Sequence, residues 1–274
     1  MELLAIALIA LAAGTIGTML GLGGGVILVP ILTLPVFDVP LKTAVAAGVV
    51  AVVANSTAGS GVYLRARFTN VRLALMLLMG LTTGALIGGL LGVTLPEWVT
   101  KSAFALLLLY VAYAMGRKRK SGAVASAGLP DPMSVGGHYV DPANGTTVVY
   151  VPQNLKTGVP LSAFGGLASG LFGIGGGPIT VPIMSLVLQV PLKAATSTSS
   201  FMVGLTATAS ALVYYGHGEI DPRITIACVC GIVFGARLGA RLTKKIQQAQ
   251  LQRIFVVVML VLSVSMGLQA VGVL

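Results

Sequence analysis

Long apolar stretches separated by short polar punctuation dominate the chain. They occupy 41–64, 72–94, 98–116, 192–215, 223–243 and 251–273, each near the ~20 residues that a helix needs to cross a bilayer. They lack the period-two alternation of a membrane β-barrel, whose strands need only about 9–11 residues, so the pattern predicts helices. Two further apolar segments, 3–37 and 158–190, are less regular. Each contains a glycine-rich break, "MLGLGGGVILVP" at 19–30 and "GLFGIGGGPITVP" at 170–182. Three consecutive glycines with prolines close by cannot carry a helix through, because glycine gives up the most backbone freedom and proline lacks an amide hydrogen. The first residues, MELLAIALIA, carry Glu2 and no basic n-region, so they read as a retained helix and not as a signal peptide.

Composition sharpens this picture. Hydrophobic residues make up 56% of the 274 positions and charged residues only 9%, against about 25% charged in a soluble domain. The mean hydropathy is +0.97. The net charge of +10 does not mark a nucleic-acid binder, since no basic soluble region with interleaved aromatics exists. Its basic clusters instead punctuate apolar runs, as membrane topology requires. Cys228 and Cys230 lie two apart in one predicted helix, on different sides of it. They form neither a disulfide framework nor a metal site, and no cofactor is implied.

The chain is also a duplication. "LGLGGGVILVPIL" at 20–32 aligns with "FGIGGGPITVPIM" at 172–184, and after one deleted residue "VPLKTA" at 39–44 aligns with "VPLKAA" at 190–195. In the same register Tyr63 meets Tyr214 and Arg72 meets Arg223. Gly80, Gly84 and Gly88 meet Gly231, Gly235 and Gly239, a small-xxx-small spacing that lets helix backbones approach closely. The predicted organisation is a first transmembrane repeat at 1–116, a polar linker at 117–157, and a second repeat at 158–274. Within the linker, "HYVDPANGTTVVYVP" has an Asn-Gly turn beside a β-prone run, the signature of a small hairpin. His138 reads as a surface residue of that linker.

Counting the two arms around each break separately gives five crossings per half and about ten membrane segments. Five is odd, so the second repeat starts inverted. Arg65, Arg67, Arg72, Arg117, Lys118, Arg119, Lys120 and Lys156 then share a face with Arg237, Arg241, Lys244, Lys245 and Arg253. Glu2, Asp38, Glu97, Glu219 and Asp221 fall on the other. The positive-inside rule places the basic face and the linker in the cytoplasm and both termini outside. The predicted fold is an all-α polytopic membrane protein of two homologous inverted-topology repeats with interrupted helices, a recurrent plan of secondary transporters.

The breaks supply the candidate chemistry. Amides ahead of a new helical arm have no intrahelical partner and suit an anion. In hydrocarbon such groups must face protein, a cavity or a ligand. Pro30 and Pro178 are expected near the beginnings of the new arms. The candidate anion-binding residues are Gly21, Gly23, Gly24 and Gly25 with Gly173, Gly175, Gly176 and Gly177. Neither break is a dinucleotide fingerprint or a Walker loop, since spacing and context fail both. A lone threonine usually bonds its own helix, but the run "TSTSS" at 196–200 puts hydroxyls around most of a turn. Asn55, Thr196, Ser197 and Ser200 are therefore candidate side-chain partners. Lys42 and Lys193, at the beginnings of their helices, either snorkel to lipid headgroups or attract the anion.

Halves that begin GxGGGxxxVPxL/M and continue with VPLKxA resemble the TauE/SafE family of sulfite exporters and related membrane permeases, over almost the whole chain. The resemblance implies a secondary transporter of a small anion, a sulfur-containing oxyanion or organosulfonate, in a bacterial cytoplasmic (inner) membrane. It makes residues 21–25 and 173–177 the repeated signature. An anion channel and a non-transport membrane assembly protein are the competing functions. The partners implied are the anion, membrane lipid and a coupling proton or other ion, with no nucleic acid. The proton is a family-based expectation only, because Asp38, His217, Glu219 and Asp221 all lie near predicted loops.

Overall fold

Helix ends are set by local chemistry in the computed structural model, which describes residues 2–116, 134–141 and 145–271. The basic run Arg117–Lys120 lies outside the described residues. In chain order the elements are α1 (Glu2–Leu20), α2 (Gly25–Leu32), α3 (Leu41–Arg65), α4 (Val71–Thr94), α5 (Glu97–Gly116), β1 (Gly137–Asp141) and β2 (Thr146–Tyr150). They continue with α6 (Leu155–Phe172), α7 (Gly177–Pro182) running into a π-helical turn (Ile183–Val187), α8 (Leu192–Gly216), α9 (Pro222–Thr243) and α10 (Gln248–Ala270). Asn70 caps α4 by accepting from the Leu73 amide at 3.0 Å. Asp221 caps α9 through the Arg223 and Ile224 amides at 2.7 and 3.3 Å. Gln247 and Gln250 form a reciprocal cap on α10, so that helix starts at 248, ahead of the apolar run at 251. Such caps contribute about 1 kcal/mol each by satisfying the first free amides. Helix α6 likewise starts at Leu155 instead of 158, after Asn154 in a left-handed conformation.

The chain is an integral membrane protein. Among the described residues six helices, α1, α3, α4, α5, α9 and α10, are long and apolar enough to cross a bilayer. The stretch at 192–215 is not among them. Helix α8 has the length, at 25 residues, but its hydroxyl run lowers its hydropathy and is buried inside the protein. The second arms are shorter than full crossings: α2 has eight residues and is about 12 Å long, against a hydrocarbon core of ~30 Å.

Glycines set the helix pairing. Gly231, Gly235 and Gly239 of α9 lie against the carbonyls of Ala7, Leu11 and Thr15 of α1, in rising order, so α1 and α9 run parallel. Gly84, Gly88 and Gly92 of α4 meet Ala163, Leu167 and Leu171 of α6 in the same way, and this pair is also parallel. Helices α5 and α10 are antiparallel: Gln252 donates to the Met115 carbonyl and Ser263 to that of Ala105. In lipid no hydrophobic force drives helices together, so this close backbone contact is a principal source of cohesion. The outer surface is apolar, with Leu75, Met79, Leu90, Leu106, Phe234 and Val261 exposed, a face suited to acyl chains and costly in water. On α9, Cys228 is buried and Cys230 exposed.

The linker contributes an antiparallel hairpin in which Gly137 pairs with Tyr150 and Asp141 with Thr146. Its Tyr139 and Tyr150, with Val135, pack into a cluster with Leu73 and Leu77 of α4, Met184, Leu188 and Ala194. Burial pushes both phenols above their ordinary range. The hairpin is tied down further by Asn70 Nδ2 donating to the Val135 carbonyl at 2.7 Å and by Arg72 donating to that of Ser134 at 2.8 Å. His138 is exposed.

Candidate functional site

Both breaks take the same shape. In the first, Gly21, Gly23 and Gly24 have φ of 72°, 77° and 82°; in the second, Gly173, Gly175 and Gly176 have 67°, 70° and 78°. This left-handed pattern favours glycine, because a Cβ there crowds the backbone. The first amides are consumed locally. Gly21 donates to Thr18 and Leu22 to Gly17, at 3.1 and 2.7 Å, and Gly173 donates to Ser169 at 3.1 Å. The amides of Gly23, Gly24, Gly175 and Gly176 make no backbone hydrogen bond with the described residues.

The two breaks meet. A methyl group on Gly25 would lie 2.5 Å from the Gly173 carbonyl oxygen, and one on Gly177 would lie 2.5 Å from that of Gly21. Gly23 and Gly175 both sit against Val52 of α3 and Val203 of α8. Gly21 packs on the backbone of Thr196, while Gly173 packs on that of Val45, its counterpart in the duplicated register. The same exchange recurs with the tyrosines: Tyr63 donates to the Thr18 carbonyl at 2.9 Å and Tyr214 to that of Gly170 at 3.1 Å. The whole junction is buried. Pro178 lies at the start of α7. Pro30, however, is the sixth residue of α2 and not near its beginning, because that helix starts directly on Gly25.

Hydroxyls from α8 distribute around this junction. Thr196 and Ser197 turn back to the Lys193 and Ala194 carbonyls of their own helix, both at 3.1 Å. Thr198 accepts the Asn70 amide at 3.0 Å, at the head of α4. Ser199 joins the breaks: it donates to the Gly21 carbonyl at 2.7 Å and lies 2.9 Å from Thr180 Oγ1 of α7. Among the described residues Ser200 Oγ is buried with no hydrogen-bond partner, as are Ser169 Oγ and Asn55 Nδ2. Asn55 uses its oxygen to accept from Thr18 at 2.8 Å. Ser169 lies against Gly176. Buried polar groups are normally paired, so three open groups around two breaks form a donor-rich setting for a polar guest.

Not every expected residue arrives there. Lys193 is buried, but its ammonium is held by Asp141 at 2.6 Å. Lys42 starts α3 and is only partly buried. Ser199, Thr18, Thr180 and Ser169 were not among the residues expected from sequence. For Ser199 the sequence held no distinguishing signal: only the packing of Gly21 and Gly23 on Thr196 and Val203 picks out the face of α8 that carries it. Beside the hairpin, an open cleft of about 350 Å³ is lined by Arg67, Arg72, His138, Asn70 and Tyr150.

Comparison with known proteins gives a consistent result. The family model described as "Sulfite exporter TauE/SafE" matches residues 6–266. The "Probable membrane transporter protein YunE" of Bacillus subtilis is 25% identical over 268 residues, covering 96% of each chain. A protein of Methanocaldococcus jannaschii, also described as a membrane transporter, is 24% identical over 255 residues, covering 87% of this chain and 85% of its own. No solved structure matches the chain significantly.

Proposed function

The chain belongs to the sulfite exporter TauE/SafE family, and from that premise we propose that it is a secondary transporter of a small anion, a sulfur-containing oxyanion or organosulfonate, working by alternating access. The observation that carries this reading is the junction of the two breaks, to which both halves contribute equivalent glycines. The anion is bound there by the free amides of Gly23, Gly24, Gly175 and Gly176, with Gly21, Gly25, Gly173 and Gly177 allowing close approach. Asn55, Ser200 and Ser169 are its unpaired side-chain partners, and Thr196 shapes the wall. Ser197, on the same turn, keeps its hydroxyl on the Ala194 carbonyl of its own helix and contributes no donor.

The transporter is built from inverted repeats at 1–116 and 158–274 around the linker at 117–157. Support comes from helix direction. Helix α1 parallels α9 while α6 parallels α4, an exchange of partners between counterparts, and α5 opposes its counterpart α10. Interrupted helices crossing at a repeat interface are the usual substrate site of such proteins. The hairpin end, with Arg65, Arg67, Arg72 and Lys156, is cytoplasmic and both termini are external, in a bacterial inner membrane. Purified protein in sealed proteoliposomes, offered sulfite, sulfate, thiosulfate, sulfoacetate and simple carboxylates, tests the function. A carrier gives saturable uptake and counterflow. Sustained current that follows only the ion gradient would establish a channel instead, and neither activity would leave an assembly protein.

A further inference from the structure

Lys193 and Asp141 form an ion pair of 2.6 Å with side chains 1% and 6% exposed. Two charges buried this deeply are costly to desolvate, and such a pair is weak evidence of a purely stabilising role. The partners come from regions of different character. Lys193 is the second residue of α8, whereas Asp141 ends β1 in the linker hairpin. Along β1, Tyr139 and Asp141 face inward while His138 and Val140 face out. The hairpin thus delivers a carboxylate through an apolar surface onto a buried ammonium.

The backbone of Lys193 lies close to the break junction. The Lys193 carbonyl accepts the Thr196 hydroxyl, and the Thr196 backbone is the surface on which Gly21 packs. Three residues of α8 span about 4.5 Å along its axis, so the Lys193 backbone sits about one turn beyond the junction, and its side chain reaches the hairpin. Lys42, its counterpart in the first half, is partly exposed and has no carboxylate within ion-pair distance among the described residues. The arrangement is one-sided.

We infer that Asp141 is a tethered stand-in for the transported anion: its carboxylate holds Lys193 while the hairpin is closed, and a small oxyanion or sulfonate replaces it when the hairpin withdraws. This rests on the anion-transport reading. A carboxylate, a sulfite and a sulfonate all present charged oxygens that accept short hydrogen bonds from an ammonium. Exchange keeps Lys193 neutralised in both states, so opening never leaves a bare buried charge. The anion binds only the open arrangement at this lysine and therefore shifts the hairpin equilibrium toward it.

The test uses the full chain in detergent and reads thermal unfolding against sodium sulfite, at ionic strength fixed with sodium chloride. Asp141→Asn should lower the melting temperature and respond to sulfite at a half-maximal concentration at least ten times below that of the wild type. The double variant D141N/K193Q should recover stability and lose this tightened response, returning to a half-maximal concentration no lower than that of the wild type. Equal sulfite responses in D141N and the double variant, or in D141N and the wild type, would overturn the exchange and leave the pair a structural clip. If D141N does not fold, hydrogen exchange on the wild type decides. Sulfite should speed exchange at 137–150, and unchanged protection there sinks the idea. Sulfite uptake by wild-type liposomes alongside either negative result rejects only the exchange. Absence of uptake for every anion rejects the transport reading itself.

Discussion

Replacing Ser199 with alanine removes one oxygen that joins the two breaks. Ser199 Oγ donates to the Gly21 carbonyl at 2.7 Å and contacts Thr180 Oγ1 at 2.9 Å. At 0% exposure water cannot take its place. Thr180 keeps its bond to the Gly176 carbonyl at 3.1 Å, so the main loss falls on Gly21. A buried polar group left unpaired costs ~1–3 kcal/mol, and about 2 kcal/mol is the reasonable centre here. For a chain of this size each kcal/mol corresponds to roughly 2–4 °C, giving a fall of about 4–8 °C. Ser197→Ala is the matched control. It lies on the same helix with equal burial, but its hydroxyl only returns to Ala194 of its own helix, and its removal should cost less than about 1 kcal/mol. Thermal unfolding in detergent compares the two, and a cycle with Thr180→Val measures the coupling across the breaks. Equal melting temperatures for S197A and S199A, with no coupling in the cycle, would refute the claim that this hydroxyl fastens the junction.

Glycine replacements should split by sign in the same assay. Gly235→Ala drives a methyl group into the Leu11 carbonyl of α1, while Gly61→Ala meets nothing within 4 Å. The first should therefore lose stability, and the second should gain about 0.5–1 kcal/mol from helix propensity alone; loss in both would contradict the packing described. Orientation is checked with single cysteines in a background lacking Cys228 and Cys230. An impermeant reagent on intact cells should label positions 96 and 219 and spare 118 and 245, and labelling at 118 would reject a cytoplasmic linker.

Alanine in the breaks or on the helix ridges is a poor probe of anion binding. Gly176→Ala, aimed at anion binding, combines a φ of 78° with a methyl group 2.8 Å from the Gly165 carbonyl. Gly88→Ala, its packing control, meets the Leu167 carbonyl of α6. Both disturb the backbone, so neither separates binding from folding. The Asn55 side chain, whose Nδ2 has no hydrogen-bond partner among the described residues, does.

Much of this was written locally in the chain. The apolar runs determined the helices, because insertion into lipid and helix formation both depend on composition over about twenty residues. The repeated GLGGG and GIGGG determined where two helices had to stop, because no other residue tolerates that series of left-handed dihedrals at so little cost. Even the glycine spacing of α4 and α9 announced close helix contact, though not which helices would make it. Tertiary structure decided the rest. It selected Ser199 from five neighbouring hydroxyls by setting Gly21, 178 residues away, against that side of α8. It placed Lys193, legible in the sequence only as a headgroup anchor or an anion-attracting charge, in a buried ion pair by bringing in Asp141 from 52 residues away. A helix offers side chains in every direction, and which of them become chemistry depends on the surface that arrives opposite, a property carried by distant segments and invisible in any local window.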